Sequence, residues 1–330
     1  MQSLLDPAIL FFVFGVLAGA VKSNLEIPQP ISKFLSLYLL MALGLKGGFA
    51  LAQTPFDAQL FASLGAALVM AFVVPALGYQ VLKRHVAGFD AAATAAAYGS
   101  VSAVTFVTAI QVLETQGITA PGHMTVAMVL MESPAIVMAV LLASLLRARG
   151  ATAASGAAVT AGSAPAPVQL RSVLHEAFTD GTHLLLLGAL AVGFISGEAG
   201  KAMMQPFTGD LFKGLLAFFL LDMGLLVARN FATARRQSPV LIGYAVLAPL
   251  VHAALALGLA VLLSLPVADT ALLMVLSASA SYIVVPAVLR HAIPEANPSL
   301  YFGLSLGITF PLNILVGIPL YLQVAQWVRG

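Results

Sequence analysis

The chain has 330 residues, of which 60% are apolar and 8% charged, with a mean hydropathy of +1.00. Soluble domains carry roughly 25% charged residues, so this composition excludes a water-soluble globule and makes lipid the main solvent. A net charge of +2 leaves no electrostatic footprint for nucleic acid, and the absence of cysteine excludes disulfides, thiolate metal sites and a thiol nucleophile.

A bilayer core about 30 Å thick takes about 20 apolar residues per helix. Ten such runs occur in order, at 7–22, 30–52, 57–82, 90–112, 122–146, 182–200, 209–229, 238–264, 269–291 and 299–327. No Lys or Arg precedes the first run, so it reads as a membrane helix and not as a cleaved signal. Small polar residues interrupt the fourth and ninth runs, which are expected to be discontinuous helices. Residues 150–168 are rich in Ala, Gly, Ser and Pro, lack an amphipathic period and read as a flexible cytoplasmic linker. The linker separates residues 1–149 from residues 169–330, five helices in each half.

The halves resemble one another. Gly15 and Gly19 fall opposite Gly188 and Gly193, Leu43-Gly44-Leu45 opposite Met223-Gly224-Leu225, Ser100 and Ser102 opposite Ser279 and Ser281, and Pro134 opposite Pro311. The matches follow one another in order along the half with offsets that stay between 173 and 180, which marks an internal repeat. Basic residues orient it. Eleven of the 15 Lys and Arg lie in the odd-numbered loops, leaving Lys46, Lys201, Lys213 and Arg329 on the other side. The odd loops are therefore expected in the cytoplasm and both termini outside. An odd number of helices per half makes the repeat inverted.

Inverted repeats place substrate near the midplane, where the N-terminal ends of broken helices face an anion. The matched interruptions are Tyr98 to Thr105 and Ser277 to Pro286. Gly99, Ser100, Ser102, Thr105, Ser279, Ser281 and Tyr282 are the candidate substrate-binding residues. The hydroxyls suit helix capping or an anion, and the small residues suit close helix packing. Glu132 and Asp222 are acids inside apolar runs, and with Asn313 they form the candidate cation or proton site. His252 reads as a packing residue. No Walker A motif or His-Glu-x-x-His motif occurs, so neither an attached ATPase of that kind nor an enzyme is expected, and no firm metal site is assigned.

At these motifs the chain resembles the sodium-dependent bicarbonate transporter family of the SbtA type. The likeness is carried by Leu-Lys-Gly-Gly (45–48), Gly-Ser-Val-Ser (99–102), Glu-Ser-Pro-Ala (132–135), the run from Leu289 to Ser299 and Gly-Ile-Pro-Leu (317–320). It implies a five-plus-five inverted repeat with core and gate domains. It further implies a homotrimer in the cell inner membrane, bicarbonate between the half-helix ends, Na+ as coupling ion and a PII-like cytoplasmic regulator. Ser102, Thr105 and Ser281 match polar positions of the family. Ala103 and Val104 stand where the family has Gly and Ser, Tyr282 where it has Asp, and Val284 and Val285 where it has Ser and Gly. These departures remove oxygen ligands of the kind hard cations take and make the cavity more apolar. The leading expectation is a secondary transporter of bicarbonate. The alternatives are the same fold carrying another small monocarboxylate or anion without sodium, and a non-transporting membrane sensor or scaffold.

Overall fold

The structure is a computed structural model that describes residues 5–154 and 181–329. It is all-helical in class, with no strand among these residues, and the ten apolar runs fall on helices, the fourth and ninth each broken in two. The elements are α1 (Pro7–Ala20), α2 (Gln29–Gln53), α3 (Ala58–Leu82), α4 (Gly88–Gly99), α5 (Ala103–Thr115) and α6 (His123–Ala154), then α7 (Gly181–Gln205), α8 (Leu211–Arg235), α9 (Pro239–Leu262), α10 (Val267–Ala278), α11 (Val284–Ala292) and α12 (Pro298–Arg329). Among the described residues seven stretches are long and apolar enough to cross a membrane, and Pro7–Ala20 and Val267–Ala278 are shorter apolar helices. The chain is a multi-pass membrane protein. The expected linker lies outside the described residues from 155 onward, and α6 continues through residues 150–154.

Capping residues set several helix starts. Asp6 precedes Pro7 and accepts from the Ala8 amide at 2.8 Å, and Asp57 accepts from the Leu60 amide at 2.9 Å. Asn297 precedes Pro298 and accepts from the Ser299 amide at 3.0 Å. One apolar stretch, Leu184–Arg235, holds 52 residues, which as straight helix is about 78 Å, more than twice the hydrocarbon core. It bends at Gly197, whose φ of 54° and ψ of −142° suit glycine alone. A π-helical turn, Pro206–Asp210, follows. The path then returns along α2: the Tyr38 hydroxyl donates to the Phe207 carbonyl, and Asp222 accepts from Ser32.

The helices form two bundles. α1 packs on α8, and α2 on α7 and α8; the larger bundle holds α3 to α6 with α9 to α12. Glycines let the paired backbones approach closely. Gly15 faces Leu221 and Gly224 while Gly19 faces Leu225 and Ala228, so α1 and α8 run parallel. Gly44 faces Leu186 and Ala189 while Gly48 faces Leu190 and Gly193, so α2 and α7 run parallel too. The larger bundle has a matching pair of ties. Asp90, in the first turn of α4, accepts from the Asn297 amide at the start of α12 at 2.7 Å. Asp269, in the first turn of α10, meets His123 at the start of α6 at 2.5 Å and accepts from Ser63 at 2.6 Å. Arg147 holds Glu295 through two nitrogens, each at 2.7 Å.

Candidate functional site

Two breaks meet inside the larger bundle. α4 is rich in alanine, buried from Ala91 onward, and ends at Gly99, where an added Cβ would overlap the Pro75 ring. Ser100 is extended (φ −89°, ψ 166°), and Ser102 starts α5 as its N-cap, accepting from the Thr105 amide at 3.2 Å. α10 ends at Ala278, Ser279 is likewise extended (φ −79°, ψ 163°), and α11 begins at Val284. Ser281, two residues before the N-cap Ile283, accepts from the Val285 amide at 3.4 Å.

In hydrocarbon every backbone group freed by a break needs a partner. Here the two breaks supply much of this to each other. The Ser102 amide donates to the Ser279 hydroxyl at 2.9 Å, and the Ser281 amide donates to the Ala97 carbonyl at 2.7 Å. Asn313, in a π-helical turn of α12, donates to the Ala278 carbonyl at 2.8 Å and accepts from Tyr321 at 3.2 Å. Thr105 adds its hydroxyl to Ser102 at 3.0 Å.

A cavity of about 60 Å³ opens where the N-terminal ends of α5 and α11 meet the four-helix bundle. Val101 to Val104 and Ser281 to Ile283 line it from the breaks, Met128 and Glu132 from α6, Ser36 and Leu40 from α2, and Thr182 and Leu186 from α7. A water needs about 10–15 Å³ on this measure, so the space suits a solute of about four to six non-hydrogen atoms. Each half-helix end carries roughly +0.5 of a charge. Together they balance about one negative charge without any Lys or Arg in the lining.

The candidate residues therefore divide. Ser102, Ser281, Tyr282 and Glu132 line the cavity. Thr105 and Ser279 lie behind it and hold Ser102 in place, while Gly99 packs on Pro75. Ser100 is buried, and its hydroxyl has no partner among the described residues. Asn313 supports the second break from behind, and Asp222 sits in the four-helix bundle against Ser32. Tyr282 is buried with its ring 5.0 Å from that of Phe310, and its hydroxyl meets Ser102 and, at 3.9 Å, the Met223 sulfur. Pro286 falls in the first turn of α11. Ser36 and Thr182 are cavity hydroxyls that sequence reasoning missed; each is a lone small polar residue with no repeat partner to single it out. Buried His252 hydrogen-bonds the Ser277 backbone, as a packing residue does.

With this geometry in hand, comparison with protein families gives a match over residues 7–326 to the model described as the Na+-dependent bicarbonate transporter superfamily. Comparison with curated proteins gives no match.

Proposed function

This chain belongs to the Na+-dependent bicarbonate transporter superfamily, and we propose that it carries bicarbonate by alternating access through the cavity between its two bundles. The observation that carries this reading is the convergence of two half-helix N-termini on one small cavity at the bundle interface. Bicarbonate has four non-hydrogen atoms and one negative charge, which match the volume and the paired helix ends. The four-helix bundle acts as the gate and the larger bundle as the core. The parallel pairings of α1 with α8 and α2 with α7 support a five-plus-five inverted repeat of ten spans, because a repeat in one orientation would pair these helices antiparallel.

Glu132 adds a second negative charge to the cavity, and a cation travelling with the anion offsets it. We assign that place to sodium, with Glu132, Ser36 and Thr182 offering the oxygens hard cations take. The proposal includes trimeric assembly in the inner membrane with both termini outside, and a PII-like regulator on the cytoplasmic face. Purified protein in proteoliposomes tests it: labelled bicarbonate uptake rises with an inward sodium gradient and loses that dependence in Glu132→Gln. Folded protein that takes up no bicarbonate under any gradient removes the reading. Tyr282, an aromatic ring where the family has Asp, favours a second reading in which another small monocarboxylate moves without sodium. Uptake of acetate or formate indifferent to sodium would select it.

A further inference from the structure

A second and larger space lies on the same interface. It measures about 450 Å³ and is lined from α2 by Leu43, Lys46, Gly47 and Ala50, and from the core by the end of α5 and the start of α6. The residues of α2 that face it continue the stripe that reaches the central cavity through Ser36 and Leu40, and buried Leu43 lies between the two spaces. On α6, Thr125 faces the outer space and Met128 and Glu132 the inner one. The outer space is thus a vestibule on the way to the cavity.

Its charge is unusual for its side of the membrane. Lys46, Lys201 and Lys213 line it with Glu114 and Asp210, and Lys201 also pairs with Glu198 at 3.3 Å. They are three of the four basic residues that the loop count leaves opposite the basic loops. Orientation does not call for them there. Ammonium groups gathered in a partly enclosed space attract small anions once their carboxylate partners move away.

Within it, the Lys46 ammonium meets the Glu114 carboxylate at 2.6 Å, with side chains 24% and 32% exposed. This pair joins α2 of the gate to the end of α5 in the core. Lys46 also lies 4.6 Å from the centre of the Phe212 ring on α8, so the ammonium stays with the gate when Glu114 leaves it. Part-exposed pairs of this kind contribute little to stability. That is weak enough for an incoming anion to compete.

We infer that the vestibule is a capture site for a small oxyanion, in which the anion takes the place of Glu114 on Lys46 and so releases the core from the gate. The inference rests on the transport reading above and adds to it a first binding step and a latch. It predicts effects of opposite sign. Lys46→Gln removes the capturing charge and raises the KM for bicarbonate about tenfold, whereas Glu114→Gln removes the competitor and lowers KM about threefold. A pair that merely staples the fold shifts both variants in one direction, through lower thermal stability. A binding readout separates this from transport, using the cysteine-free chain. A single Thr119→Cys in the vestibule is labelled with a negatively charged methanethiosulfonate. Bicarbonate slows the labelling in this background and with Glu114→Gln added, but not with Lys46→Gln added. Protection without uptake in the parent protein leaves the capture site standing and removes the transport reading. Uptake with no protection, or with KM unchanged or moved the same way in both variants, overturns the capture site and leaves transport intact.

Discussion

Ser102→Ala and Ser279→Ala form a pair whose comparison separates support from substrate contact. Ser102→Ala removes the cap on the Thr105 amide, about 1 kcal/mol, the acceptor of the Thr105 hydroxyl, another ~1 kcal/mol, and the contact with the Tyr282 hydroxyl. Ser279→Ala leaves the buried Ser102 amide without its acceptor and loses a bond to the Leu276 carbonyl, also about 2 kcal/mol together. Ser102→Ala should therefore melt at or a little below Ser279→Ala. Their transport should differ, because only Ser102 lines the cavity. A hydrogen bond to a charged partner contributes roughly 1.5–3 kcal/mol, so Ser102→Ala should raise the bicarbonate KM roughly 10- to 100-fold. Ser279→Ala should change it less than about threefold, since a neutral support is lost and no anion contact. Melting curves in detergent and uptake kinetics in proteoliposomes give the four numbers. Equal KM changes in both variants, or a larger one in Ser279→Ala, would refute the assignment of Ser102 as the contacting hydroxyl.

Three further predictions test the frame. An added Cβ at Gly47 would lie 2.6 Å from the Thr125 hydroxyl oxygen, where ordinary contact begins near 3.4 Å, so Gly47→Ala forces α2 and α6 apart across the gate–core interface. It should lower kcat severalfold while costing only about 1–3 kcal/mol in stability; unaltered kcat argues against sliding there. Asp269→Ala leaves buried His123 and Ser63 without their shared hydrogen-bond partner, and each such buried group left unsatisfied costs about 1–3 kcal/mol, read as a large fall in melting temperature and yield. Arg147 holds the Glu295 carboxyl below the usual carboxylate range by hydrogen bonding and charge. With the folded value depressed, this pair stabilises at neutral pH and its contribution fades as pH falls through the carboxylate range. Glu295→Gln should therefore lower stability by up to about 1 kcal/mol at pH 7, and by progressively less as pH falls below the ordinary carboxylate range.

The breaks were legible in the sequence because Gly-Ser-Val-Ser and Ser-Ala-Ser-Ala-Ser interrupt apolar runs at equivalent places in the two halves. The same signal pointed to Ser102, Ser281 and Tyr282, and an acid deep in an apolar run pointed to Glu132. The other half of the cavity was hidden, since Ser36 and Thr182 come from the four-helix bundle and only its packing turns them inward. Asn313 and Asp222 carried the same intramembrane-polar signal as Glu132 but are used to satisfy a broken helix and to bind Ser32. A sequence shows that a buried polar group needs a partner without showing which. His123 and Asp269 are 146 residues apart and each reads as an ordinary helix-start residue, so their pairing comes only from the fold. The Leu-Lys-Gly-Gly motif gained a meaning that spacing did not give it. Lys46 reaches Glu114, Gly47 faces α6, and Gly48 faces α7.

The central claim, that substrate passes between the two half-helix ends, is tested most directly at Ala103, which lines the cavity at the start of α5. Ala103→Cys introduces one thiol into a chain that has none. Bicarbonate uptake by the reconstituted variant should stop on reaction with a small thiol reagent, and saturating bicarbonate should slow that reaction. Full uptake by protein labelled to completion at residue 103 would contradict it.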